Sequence, residues 1–317
     1  MSEKNGIDFA VGGQAVIEGV MIRSPKFVTV AVRKKDGSIK LREEPFRSLT
    51  AKFRLLKLPI LRGMVNLIEM MVFGMKALNF SAEEYADDEE TPQEKEKKQG
   101  ATKPRWFTVV TFTFSLVISF ALAIFLFKFI PLAITTFLQK IFPAIAEYTL
   151  LFNLIDGLLR ITIFFLYIFI LSLFKTFQRI FEYHGAEHKS IFAYEKGKNL
   201  TVEHIAPESP RHPRCGTSFI VIVLIISIIL LSFVPKHPVF YIHFLRRLAI
   251  IPLIAGVAYE VLKWTAKHRN HWAVAILTYP GILTQYITTK EPDEKQIEVA
   301  VAALKRALEL ESQKSAS

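Results

Sequence analysis

The sequence predicts a mainly α polytopic membrane protein. It has about four transmembrane helices, a small N-terminal cytoplasmic unit containing a β-hairpin, and amphipathic helices. Three observations predict this class. Of 317 residues, 51% are hydrophobic and 27 are Phe, which is too apolar for an ordinary soluble enzyme. Long runs near 106–127, 150–174, 217–234 and 246–264 carry few charges, as segments crossing about 30 Å of hydrocarbon must. Alternating β-branched residues over Phe27–Arg33, followed by Asp36-Gly37, mark a strand and a hairpin turn.

Residues 1–50 form the N-terminal unit. Gly12 to Met21 is punctuated by glycine and reads as turn-rich, with Glu18 and Arg23 as a candidate polar pair. In 51–80, Arg62, Asn66, Glu69 and Lys76 recur at helical spacing as a narrow polar stripe. Lys57 adds one charge more, too many for a span, so this stretch reads as an amphipathic interfacial helix. Residues 81–104 place an acidic block before a basic one with almost nothing to bury, the composition of a solvated linker.

Residues 105–290 hold the transmembrane domain. Lys128 and Pro131 mark the far end of the first span, and a short apolar connection runs on to Glu147. The second span carries Asp156 and Arg160, an i,i+4 pair that reads as a structural ion pair near the interface. Its helix is expected to continue past Lys175. Residues 196–215 are a polar loop with Pro207, Pro210 and Pro213, ahead of the third and fourth spans. Residues 271–286 are short for a span and contain Pro280-Gly281, so a re-entrant or interfacial helix is expected. In 291–317, Ile297, Val301, Leu304 and Leu308 share one face of an amphipathic helix that packs on the body.

The net charge is +11, from 40 Lys+Arg against 29 Asp+Glu. No aromatic-basic recognition motif accompanies it, so the partners implied are membrane lipids, with no nucleic acid. Lys and Arg concentrate before the first span, between the second and third, and after the fourth. That bias places both termini and the middle loop in the cytoplasm. The single Cys215 excludes an internal disulfide framework.

The chemistry centres on the middle loop. His184-Gly185-Ala186-Glu187-His188 puts two imidazoles four residues apart on one helix face, where they can share a metal ion. Glu187 flanks that face and is the candidate catalytic base. The spacing is the inverted form of the zincin motif. A catalytic zinc usually takes three protein ligands. Glu260, near the cytoplasmic end of the fourth span, is the first choice for the third. Cys215, a soft thiolate at the start of the third span, is the second, and His212 the next. Glu18 is a further candidate, since its segment lies on the same side. The cofactor implied is a divalent metal, zinc being the candidate. The competing account is a structural polar network in which these side chains cap and hydrogen-bond.

Several stretches resemble the YqhQ-like family of uncharacterised bacterial membrane proteins. They are Gly12 to Met21, Tyr183 to Lys189, Arg214 to Phe219, Tyr259-Glu260, Tyr279-Pro280-Gly281, Thr288 to Pro292 and Ile297 to Ala300. They occur in order over nearly the whole chain. The resemblance implies a multi-pass protein of the bacterial cell membrane, regarded as a predicted metal-dependent enzyme of unestablished substrate. The residues therefore carry two readings. One is a membrane-embedded metal-dependent hydrolase with its site at the cytoplasmic interface. The other is a non-enzymatic scaffold or assembly factor with a structural metal or polar cluster.

Overall fold

The computed structural model describes residues 11–89, 105–213, 215–268 and 271–316. Most of the expected linker, 90–104, lies outside them. The N-terminal unit is larger than one hairpin. Strands β1 (Gly12–Val16), β2 (Gly19–Arg23), β3 (Phe27–Arg33) and β4 (Ile39–Pro45) pair in sequence order as an antiparallel meander. The segment expected to be turn-rich is thus two strands. Val16 pairs with Gly19, leaving Ile17-Glu18 as a two-residue turn in which Glu18 takes a left-handed φ of 51°. At the third hairpin, β3–β4, Gly37 has φ 86°, and Asp36 Oδ1 accepts from Ser38 N at 2.8 Å.

Ten longer helices follow among the described residues. They are α1 (Leu61–Glu89), α2 (Arg105–Ile124), α3 (Ile130–Ile141), α4 (Thr149–Ser172) and α5 (Lys175–Glu195). After these come α6 (Gly216–Ser232), α7 (Phe240–Ala249), α8 (Ile251–Lys267), α9 (Trp272–Thr288) and α10 (Glu294–Ala316).

The sheet is covered on both faces, which explains why β2 and β3 are apolar at nearly every position. Val16, Met21, Val28, Val30 and Val32 pack on Ala77 and Phe80 of α1. Val20, Ile22 and Ala31 pack on Ile297, Ala300 and Leu304 of α10 and on Tyr183 and Ala186 of α5. The C-terminal helix therefore docks on the body as its apolar stripe requires. Helix α1 extends to Glu89, so residues 82–89 are helix and not linker. Buried Glu84 there receives Lys40 Nζ at 2.6 Å.

The polar stripe of α1 faces protein. Arg62 grips Glu260, Asn66 Nδ2 donates to Tyr259 Oη at 2.7 Å, and Glu69 Oε1 accepts from Leu49 N at 2.6 Å. Lys76, the last member of the stripe, is exposed and pairs with Glu44, and the helix also exposes apolar Ile68, Met71, Val72 and Leu78.

Among the described residues, three helical segments are long and apolar enough to cross a membrane: Thr113–Ile141, Thr149–Ser172 and Phe240–Thr265. The expected third span is α6, whose 17 residues reach only about 26 Å. The first segment does not stop at Pro131. It passes through one π turn, Phe125–Phe129, into α3, with Pro131 just after that turn; the Phe127 carbonyl, which a proline four residues on cannot serve, accepts from Arg160 Nε at 3.1 Å. The helix does not run straight from α4 into α5 either, because Phe174 is extended. Helix α9 runs unbroken through Pro280, and Gly281 lies against Ser218 of α6.

Candidate metal centre

Helix α5 is buried on nearly every side between Tyr183 and Ala193, although it is rich in polar residues. Small residues let its neighbours approach. A Cβ on Gly185 would meet the Lys290 carbonyl oxygen and lie 3.3 Å from Pro292 Cδ. The loop after α9 thus crosses α5 at Gly185, fixed by Lys290 N donating to Phe181 O at 2.9 Å. Lys189, fully buried, donates to Ala206 O at 2.6 Å and pairs with Glu291.

This packing aims both histidines. His184 Nδ1 lies 2.8 Å from Thr288 O, and His188 Nδ1 lies 2.6 Å from Pro210 O. A carbonyl can only accept, so each Nδ1 carries a proton and each Nε2 faces the site. The rings are 4.3 Å apart. Cys215 Sγ stands 3.1 Å from His184 Nε2. It caps the N-terminus of α6, accepting from Thr217 N at 3.4 Å.

Burial alone would depress the His184 pKa, but the Cys215 thiolate opposite it, with help from Glu187, raises it to about 9. Burial alone would raise the Cys215 thiol. The His184 and His188 imidazoles more than offset that and hold it well below the usual thiol range.

His184, His188 and Cys215 offer ligand atoms within 4.8 Å of one another. Tetrahedral zinc with Zn–N and Zn–S bonds of ordinary length needs ligand edges of about 3.3–3.6 Å, so the His184–Cys215 pair, at 3.1 Å, would open slightly and any wider pair would close. Two imidazoles and a thiolate suit zinc chemically, and three protein ligands leave one coordination position open. Buried Glu187 holds its Oε2 3.6 Å from His188 Nε2, beside the ligand atoms.

The other expected residues lie elsewhere. Glu260, first choice for the third ligand, is engaged by the Arg62 guanidinium from α1 and is not in the cluster. A carboxylate at the membrane end of a helix finds its cation on the neighbouring helix. His212 forms a second layer: its ring packs 5.8 Å from His188 and 4.3 Å from Phe192, and its Nε2 lies 3.5 Å from Glu195 Oε2. Gln285 fixes its backbone from both sides, at 2.7 and 2.9 Å. Glu18 does not pair with Arg23, which stacks on Phe46. It binds Arg179 and accepts from Tyr183 Oη at 3.1 Å, clamping the β1–β2 turn to α5 one turn before His184.

Sequence reasoning missed Gly13. A Cβ there would lie 2.6 Å from both Cγ and Oε1 of Glu187, so strand β1 presses its bare backbone on the candidate base. The consecutive Gly12-Gly13 was the available signal. Thr288 and Pro210 act through carbonyls, which no side-chain pattern announces.

No solved structure matches the chain. Over 314 residues, 98% of this chain and 95% of the relative, it is 35% identical to "Uncharacterized protein YqhQ" of Bacillus subtilis (strain 168). The family described as "Protein of unknown function (DUF1385)" matches residues 58–310, and the chain belongs to that family, alongside its YqhQ-like relative.

Proposed function

We propose that the chain is a metal-dependent hydrolase embedded in the bacterial cell membrane, with its site at the cytoplasmic face. The observation that carries this reading is the convergence of His184, His188 and Cys215, each oriented by a separate contact, beside buried Glu187. A bound zinc would supply Lewis acidity and an acidified water. The chain's own residues do the rest. Thr288 and Pro210 carbonyls hold the two imidazoles in one tautomer. The α6 N-terminus favours the thiolate of Cys215. Glu187 takes the proton of the attacking water and passes it to the leaving group. Gly13 restricts where that carboxylate can swing.

Membrane placement follows from the three long apolar helices and from the exposed apolar face of α1 with its neighbours Leu55 and Leu58. We place α1 along the interface and, counting short α6 as a fourth crossing, both termini in the cytoplasm, as the Lys and Arg bias favours. A substrate at that level is a lipid-linked molecule or a membrane-proximal peptide.

Glu187→Gln tests the chemistry because it keeps shape and removes the base. Membranes from cells carrying Glu187→Gln should accumulate a species that wild-type cells convert, while the purified variant keeps its metal. Identical lipid and peptide profiles in the two strains would overturn the hydrolase reading.

One observation favours a second reading, a scaffold with a structural metal. The three ligands join α5 to the start of α6, and the histidine carbonyl partners add α9 and the 196–215 loop, as a clamp would. In that case Glu187→Gln leaves function intact and loss of metal lowers stability.

A further inference from the structure

A second polar cluster lies at the opposite end of α4 from the metal centre. Asp156 and Arg160 were expected to be a simple interfacial pair. Instead Asp156 Oδ2 accepts from two guanidinium groups, Arg160 on its own helix and Arg247 on α7, and all three residues are at least 97% buried. Arg160 also donates to Phe127 O at 3.1 Å and Ser227 Oγ at 2.8 Å, and Arg247 to Asn153 Oδ1 at 2.7 Å. Two buried cations therefore share one carboxylate.

A cavity of about 260 Å³ lies beside this cluster. Its ionisable lining residues, Lys236, His237 and His243, are all basic, Gln139 is a further polar wall, and Phe152 and Phe240 are apolar ones. Among the described residues no carboxylate lines it. His243 is 5% exposed. Its Nε2 lies 3.5 Å from Arg247 Nη1, an obligate donor, so Nδ1 carries the proton. That N–H has no hydrogen-bond partner among the described residues. Lys236 Nζ donates to Ile145 O and Ala146 O at 3.0 and 2.9 Å, leaving one of its three protons unassigned. Buried Arg160 and Arg247 against Asp156 leave one positive charge unmatched, and half-buried Lys236 adds a second at the cavity rim. An unmatched charge in a low-dielectric setting calls for a counter-ion.

We propose that this cavity binds a phosphoryl group. Such a group carries one to two negative charges and accepts from several N–H donors at once. At about 30 Å³ per water, the cavity holds roughly eight or nine waters, room for a phosphate with a small substituent. Its position at the end of the spans, between two Phe side chains, admits either the headgroup of a phospholipid or free phosphate. The site is independent of the metal centre.

The test uses the full-length protein in maltoside detergent micelles, which carry no phosphoryl group, and reads its thermal unfolding midpoint. One arm adds inorganic phosphate and another adds phosphatidic acid to the micelles. Wild type should be stabilised in at least one arm. Phosphatidic acid alone assigns the site to a lipid headgroup, and both arms together assign it to any accessible phosphate. Gln139→Glu places a carboxylate in the wall without removing a hydrogen bond recorded for Gln139. Without a probe it should unfold at or above the wild-type midpoint, because the new carboxylate supplies the missing counter-charge, and its response to the phosphoryl probe should weaken at least tenfold in concentration. The His184→Ala/His188→Ala variant should respond as wild type does. No stabilisation in either arm, or an undiminished response in Gln139→Glu, would overturn the proposal.

Discussion

His184 and His188 owe their roles to atoms outside the motif. Each Nδ1 is committed to a backbone carbonyl, so only Nε2 can bind a metal. The pH dependence follows. Without metal, His184 stays protonated up to about 9, because the Cys215 thiolate faces it. Binding needs the neutral imidazole, so falling pH opposes it. The His184 and His188 imidazoles hold the Cys215 thiol well below its usual range, so the histidine is the expected source of the released proton. Zinc affinity should rise about tenfold per pH unit up to about 9, with about one proton released, by titration calorimetry in buffers of differing ionisation enthalpy. Release of two protons would mean that Cys215 starts as a thiol. A second contrast concerns the paired glycines. Gly12 has open space where a Cβ would go, and Gly13 meets Glu187. Gly13→Val should cost about 1–3 kcal/mol by overpacking, and Gly12→Val should stay within about 0.5 kcal/mol, both by denaturant unfolding. The pentapeptide and Cys215 were legible because thiolate and imidazole chemistry is carried by side-chain type. Glu260 misled because its depth along the chain was right and its partner, Arg62, lay nearly two hundred residues away.

At the level of elements, α5 is the charged helix that the fold buries. The four-stranded sheet covers it from one side and α10 from another. The sheet and α10 are tied by buried Glu311, which accepts from Ser24 Oγ at 2.7 Å and Lys26 N at 2.6 Å. Glu311→Ala should therefore destabilise by about 1.5–3 kcal/mol and expose the N-terminal sheet to limited proteolysis. A protease pattern like that of wild type would argue against this tie. Strand β3 and the Asp36-Gly37 turn were readable from alternation and turn chemistry. Strands β1 and β2 were not, because both faces of β2 are buried and the glycines that punctuate them serve close packing. Gly19, for example, lies against Ala31 O. The α10 stripe was readable because it buries a single face.

For the whole molecule, hydropathy gave the class and left the span count open. Among the described residues, three segments have the length and apolarity to cross a membrane. Helix α6 is uncharged but short, and it packs between α4, α8 and α9. The break expected at Pro131 vanished because a π turn precedes the proline and Arg160 takes the Phe127 carbonyl. The buried Asp156 cluster was half visible as an i,i+4 pair, while Arg247 arrived only through the tertiary fold. The consequence of this architecture is that α5, the start of α6 and the end of α9 meet at one end of the helical body, with the N-terminal sheet laid over them. The central claim is that this meeting point holds a metal through His184, His188 and Cys215. Its most direct test is the metal content of detergent-purified protein. The account predicts about one zinc per chain in wild type and in Glu260→Gln, and loss of metal in Cys215→Ser and in His184→Ala/His188→Ala, with all four proteins eluting alike by size. Equal metal in wild type and the double histidine variant, or loss in Glu260→Gln alone, would contradict it.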